Sequence, residues 1–286
     1  MTSVPAPPVS REPIRTREVR WPTVTLFLSL SLGLLTLFPL VRRAGPMARV
    51  VLPGWLENLV TFGSLLVVAV AVLYGLGRLS PADLGLGRKK LVQGLVTIGA
   101  VWGLNQVLAA ALALASTGTV EVAPAWTTTG VGPTLLWTAV IFLTTALFEE
   151  IAFRGFLFPQ LYLKLHGSHR ARFWIALLAS QVLFAVAHIP GHLFIRHLSG
   201  PPLWTQVALQ GVSGVLLLLV YLRTRNLWIA VGLHGLANAP TPLVSGTMSW
   251  EIPLLVLLVG WPWLTRKPES HGFGRVEAAG PTQTIR

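Results

Sequence analysis

Long apolar runs, each close to the length needed to cross a bilayer, follow one another through this chain. A spanning helix needs about 20 consecutive apolar residues. Eight segments qualify: 22–41, 57–77, 91–115, 134–158, 173–190, 203–222, 226–243 and 251–265. No large hydrophilic domain interrupts them. The expected fold is therefore all-α, a polytopic membrane bundle of about eight transmembrane helices. Composition agrees. Only 11% of residues are charged and 53% are hydrophobic, whereas a soluble domain carries roughly 25% charged residues. No internal repeat divides the apolar region, so 22–265 reads as one membrane domain. The flanks, 1–21 and 266–286, read as disordered tails. The first apolar run is long enough to be kept as a span rather than cleaved as a signal.

The chain has no cysteine. Disulfides, a thiolate nucleophile, a Cys-based zinc site and a lipidated Cys are excluded. The net charge of +12 does not imply a nucleic-acid partner, because the basic residues sit at the ends of apolar runs. They report topology instead. With the N-terminus inside, the inner segments hold 17 Lys and Arg. The outer segments hold Arg42, Arg43, Arg49 and Arg196, and Arg154 alone lies within a run. That bias places both termini in the cytoplasm of the cell membrane, with lipids as a constant partner. The Arg42-Arg43 pair is the one misfit. High Ala, Leu, Gly, Val and Arg content points to a prokaryotic, GC-rich source.

Of ten acidic residues, only Glu149 and Glu150 fall inside an apolar run, in "FEEIAFRGFLFP". A charge at the bilayer centre costs at least about 2.5–3.5 kcal/mol, so intramembrane acids are functional by default. The competing reading is a structural ion pair, or a span edge at which both acids meet water. Helical spacing separates the two acids. Glu150 and Arg154 are i and i+4, on one face, and can pair. Glu149 points about 100° away and is left over. A carboxylate without a counter-ion in an apolar setting suits a general acid or base.

Two histidines lie within runs, His188 in "FAVAHIPGH" and His234 in "GLHGLANAP". Taken singly, each is as readily an interhelical hydrogen-bonding group. His234 has Asn238 at i+4, and together they can aim donors at one point, as an oxyanion hole requires. Pro240 and Pro242 then break the helix and open room beside it. Phe184, four residues before His188, can brace the imidazole. His188 and His192 form H-x-x-x-H, but Pro190-Gly191 between them predicts that they do not share a helical face. Glu149, His188 and His234 are nonetheless the right ligand types for zinc. Asn105, Gln106, Gln181, Gln206 and Gln210 read as hydrogen-bonding groups between helices. Ala208, Gly211 and Gly214 mark a close helix contact.

Glu149-Glu150-x-x-x-Arg154, then Phe184-x-x-x-His188, then His234-x-x-x-Asn238, occur in that order on apolar runs. This order resembles the CAAX prenyl protease and bacteriocin-processing family of intramembrane endopeptidases. The similarity covers about residues 134–243. The resemblance implies a helical membrane protease with its site in a cavity open to the cytoplasm. It implies that Glu149 and His188 activate a water that attacks a peptide carbonyl. His234 and Asn238 would stabilise the oxyanion, and Glu150, Arg154 and Phe184 would support them. No cofactor is required on this reading; the alternative is zinc held by Glu149, His188 and His234. The expected substrates are membrane-anchored proteins or leader and tail peptides. The other function classes are a proton-coupled transporter and a non-catalytic membrane chaperone or immunity protein. One tension stands: with these span edges, Glu149 and His188 lie at different depths.

Overall fold

The computed structural model describes residues 14–44, 52–245, 254, 258–261 and 276–278. Its long helices are α1 (Trp21–Ala44), α2 (Gly54–Leu76), α3 (Arg88–Thr117) and α4 (Val131–Lys164). After these come α5 (His169–Ala187), the short α6 (Ile189–Phe194), α7 (Gly200–Thr224) and α8 (Leu227–Asn238). Six described helical segments are long and apolar enough to cross a membrane, with α5 and α6 counting as one. The chain is an all-α, polytopic membrane protein.

The seventh expected span, 226–243, is corrected. Its helix α8 has 12 residues, about 18 Å at 1.5 Å per residue, short of the roughly 30 Å hydrocarbon core. It ends where Pro240 and Pro242 remove two backbone donors. The chain beyond runs extended against the 121–126 segment, where Ala123 N–H donates to the Leu243 carbonyl and Trp126 Nε1–H to the Pro242 carbonyl. A half-length helix is tolerated because protein rather than lipid surrounds it: Leu227, Ile229 and Ala230 are wholly buried. It nests tightly at Gly235, where a Cβ would lie 2.6 Å from the Phe142 ring. The eighth expected span, 251–265, lies mostly outside the described residues, of which Leu254 and 258–261 are helical.

The fourth span is longer than expected. α4 runs 34 residues, past Pro159 to Lys164. Pro159 falls in the first turn of the α-helical stretch that resumes at Phe158, where a missing N–H costs little. The stretches Ile141–Ala146 and Glu150–Leu157 are π-helical and flank Leu147–Glu149. Such i→i+5 stretches occur frequently at functional sites. The extension places Glu149 near the middle of α4 rather than close to its inner end.

One end of the bundle is closed by the segment before α1. Gln160, fully buried, donates from Nε2 to the Arg17 carbonyl and accepts from Val19 N–H. Asp83 accepts from Arg17 N–H, and Lys164 pairs with Glu18 at 3.1 Å. Ile14–Thr16 and Val276–Ala278 pair as a two-stranded parallel ribbon. Gln160 and Asp83, far away in sequence, fix residues 17 and 19 of the segment expected as a disordered tail over 1–21; the tail expected over 266–286 lies mostly outside the described residues. At the other end, Arg42 pairs with Glu57 at 2.7 Å and Arg43 lies over the Phe194 ring. The Arg42-Arg43 misfit is thus a partnered pair at a helix end.

Candidate active site

Glu150 is the anchor of the site. Its side chain and that of Arg154 are both fully buried, with Nη1 3.1 Å from Oε1. Arg154 also donates from Nη2 to the Gly214 carbonyl and lies 4.1 Å from the centroid of the Phe184 ring. Guanidinium over an aromatic face is favourable, more so when water is excluded. The same Glu150 Oε1 accepts from His234 Nδ1 at 2.8 Å. The i,i+4 pair expected from spacing is present, and it orients a histidine on another helix as well.

Phe184 stands between the two histidines. Its ring meets that of His188 edge-on at 4.7 Å and that of His234 at 6.4 Å, and Phe153 closes on it at 5.0 Å. Its carbonyl oxygen lies 2.8 Å from His188 Nδ1. A carbonyl can only accept, so Nδ1 carries the proton. The Nε2 of a neutral His188 is then a bare acceptor. His234 is arranged likewise, with its Nδ1–H given to the Glu150 carboxylate.

Both free nitrogens face Glu149. Nε2 of His188 is 3.7 Å and Nε2 of His234 is 3.6 Å from Glu149 Oε2. Both distances exceed a hydrogen bond, and Oε2 is buried without a hydrogen-bond partner. Buried polar atoms are rarely left so. Three polar atoms from three helices therefore converge on one point that a small polar species would fill. The depth tension is resolved by the extension of α4 and by the end of α5 at Ala187, which brings His188 level with Glu149.

Asn238 is placed differently. It is the last residue of α8, exposed, and no hydrogen bond ties it to Glu149, His188 or His234. The cluster therefore holds Glu149, Glu150, Arg154, Phe184, His188 and His234, with Asn238 one helical turn away.

Beside Glu149 and His188 opens a cavity of about 280 Å³. Leu35, Pro39, Phe62, Phe153 and Ile195 give it an apolar wall, and Asn58, Thr61, His192 and Gln210 add polar groups. His192 corrects an expectation. Its backbone N–H donates to the His188 carbonyl at 3.0 Å, and the two rings are 6.1 Å apart. The two histidines do continue one helical path. Pro190 sits in the first turn of α6, where it is tolerated. Among the described residues no group of three or more His, Asp or Glu side chains is disposed to hold a metal ion.

Gly214 was legible only as part of a small-residue stripe. A Cβ there would lie 2.6 Å from Gln181 Oε1, 2.8 Å from Phe184 Cδ1 and 3.2 Å from Arg154 Nη2. Gly214→Ala is expected to cost about 1–3 kcal/mol by overpacking, read as a lower thermal midpoint in detergent. Gln181→Ala in the same chain should recover part of the loss, because it removes the closest contact. Asn58, which accepts from Thr145 Oγ1, and His192 gave no strong sequence signal: polar residues near span ends are common.

No curated protein and no solved structure matches the chain. A family model does, over residues 131–240: type II CAAX prenyl endopeptidase Rce1-like. The matched segment contains Glu149, Glu150, Arg154, Phe184, His188, Gly214, His234 and Asn238. The segment that carries the whole cluster, its supporting glycine and the Asn238 helix end is thus similar to the Rce1-like CAAX prenyl endopeptidases.

Proposed function

We propose that the chain hydrolyses peptide bonds of membrane-associated proteins or peptides with a water activated by Glu149 and His188. The observation that carries this reading is the convergence of two histidine Nε2 atoms on the unpartnered Glu149 Oε2, beside a cavity. A water at that point donates one hydrogen to Glu149 and one to His188 Nε2. Its oxygen attacks the scissile carbonyl carbon as Glu149 takes the proton. The C–N bond then breaks, and the proton passes from Glu149 to the departing amine. His234, its Nδ1–H held by Glu150, would stabilise the oxyanion through Nε2 when that nitrogen carries a proton. Asn238 would supply a second donor once substrate fills the cavity. Glu150, Arg154 and Phe184 touch no reacting atom; they hold the two imidazoles in place.

The test is turnover of membrane-anchored peptides by the purified full-length protein in lipid discs. His188→Ala is expected to lower kcat by about 10²–10⁴-fold, with KM little changed and the thermal midpoint retained. Retained turnover in that variant would overturn the reading.

One observation supports a metal-dependent variant of the same function. Each Nδ1 is donated to an oxygen acceptor, the arrangement that orients histidines as Nε2 ligands. Glu149, His188 and His234 are not disposed as a ligand group as they stand and would have to close on zinc, which would supply Lewis acidity. A strong chelator separates the two: turnover survives it if water alone is used and is lost if zinc is required.

A further inference from the structure

The cavity has a direction. The bundle has two ends, marked by contacts between loops. At one end Glu18 meets Lys164, Arg17 donates to the Arg78 carbonyl and Lys90 donates to the Arg225 carbonyl. At the other, Arg42 meets Glu57 and Arg43 lies over Phe194. Among the described residues, the first end gathers Arg15, Arg17, Arg20, Arg78, Arg88, Lys89, Lys90, Lys164, Arg170, Arg172, Arg223 and Arg225. The second holds Arg42, Arg43 and Arg196. Short loops rich in Lys and Arg stay in the cytoplasm, so the first end is the cytoplasmic one.

Apart from Glu149 and Phe153, the cavity-lining groups lie toward the second end. Pro39 is near the end of α1, Glu57 to Phe62 begin α2, Ala187 to Arg196 end α5 and form α6, and Gln210 is in the first half of α7. Glu149 and Phe153 are the floor. On the cytoplasmic side of that floor the packing is closed. Phe27 meets Phe156 edge-on at 5.1 Å, and Phe158 meets Phe173 at 6.0 Å. Phe27, Phe156 and Phe158 are wholly buried, and Gln160 ties the incoming 17–19 segment across them.

We infer that the active-site cavity is entered from the exoplasmic side of the membrane. The peptide bond it takes therefore belongs to an exoplasmic or outer-leaflet segment of a membrane-anchored polypeptide. The apolar wall of Leu35, Pro39, Phe62 and Ile195 would receive an apolar stretch of that segment, with Arg196 at the mouth. This departs from the cytoplasmic opening that the family resemblance implied. The substrate class rests on the proposed proteolysis; the direction of entry does not.

The natural absence of cysteine makes the test clean. Ile195→Cys and, as a second position, Thr61→Cys are placed singly in the full-length chain, with His166→Cys marking the opposite end. Intact cells are treated with a membrane-impermeant maleimide. The expected result is labelling of Ile195→Cys and Thr61→Cys in intact cells, and of His166→Cys only after permeabilisation. The reverse pattern overturns the inference. This readout needs no catalysis, so a correctly labelled but inactive protein would sink the proteolytic reading and leave the orientation standing. For an active protein, new polypeptide termini present in wild type and absent in Glu149→Gln should map to exoplasmic segments. Termini confined to cytoplasmic segments would overturn the substrate class.

Discussion

Glu149→Gln is expected to abolish proteolysis while leaving the protein as stable as before, or slightly more so. The amide has nearly the shape of the carboxylate but cannot accept the water's proton, so the loss should be at least the roughly 10²–10⁴-fold of a missing general base. Stability should move the other way because Glu149 Oε2 is buried with no hydrogen-bond partner, and both histidine nitrogens stand beyond hydrogen-bonding distance. An unsatisfied buried polar atom costs about 1–3 kcal/mol, more when charged. Part of that cost is removed with the charge. Turnover in lipid discs and thermal unfolding in detergent measure the two effects separately. A structural ion pair predicts the opposite combination, with stability lost along with activity.

Arg154→Met is expected to show the reverse signature. Glu150 would remain fully buried with only His234 as a partner, and breaking a buried pair in this way costs about 3–5 kcal/mol. The guanidinium also leaves the Phe184 ring and the Gly214 carbonyl, so the brace of both histidines loosens. Activity should fall along with the unfolding midpoint. The double variant Arg154→Met with Glu150→Gln should recover much of the stability, because no charge is left uncompensated. It should not recover full activity, since the amide no longer anchors His234 as a carboxylate does. A double-mutant cycle on unfolding free energies reads the coupling between the two positions. Additive losses would mean that the pair does not act as a unit.

Under the proposed mechanism these two variants separate a reacting Glu149 from a supporting Glu150. That division was legible in the sequence, because i,i+4 spacing on a helix is a local property. The identity of the partners was legible in part. His188 and His234 stood out as titratable groups within apolar runs, but nothing local says that their Nε2 atoms meet at one oxygen. Their tautomers were not legible either. They follow from the Phe184 carbonyl and the Glu150 carboxylate, one on the same helix and one 84 positions away. Asn238 shows the limit of the argument. Spacing sets it on the face of His234, while the helix ends at that residue and leaves it exposed.

Prolines act in both directions. Pro190 was expected to separate His188 from His192, yet it falls in the first turn of a resumed helix, as Pro159 does, where no donor is needed. Pro240 and Pro242 do end a helix, and earlier than hydropathy suggested. Hydropathy counts apolar residues. It does not distinguish a helix that faces lipid from one enclosed by other helices, and α8 is of the second kind.

Class, membrane residence, the run order of the helices and the candidate residues within apolar runs were thus legible in the sequence alone. Each depends on composition or on spacing within one helix. The meeting of Glu149 with both histidines was decided by the tertiary structure, as were the brace through Gly214, the sealing of one end by Gln160 and the end at which the cavity opens. Each of these depends on where separate helices cross, and crossing is set by packing between residues distant in the chain.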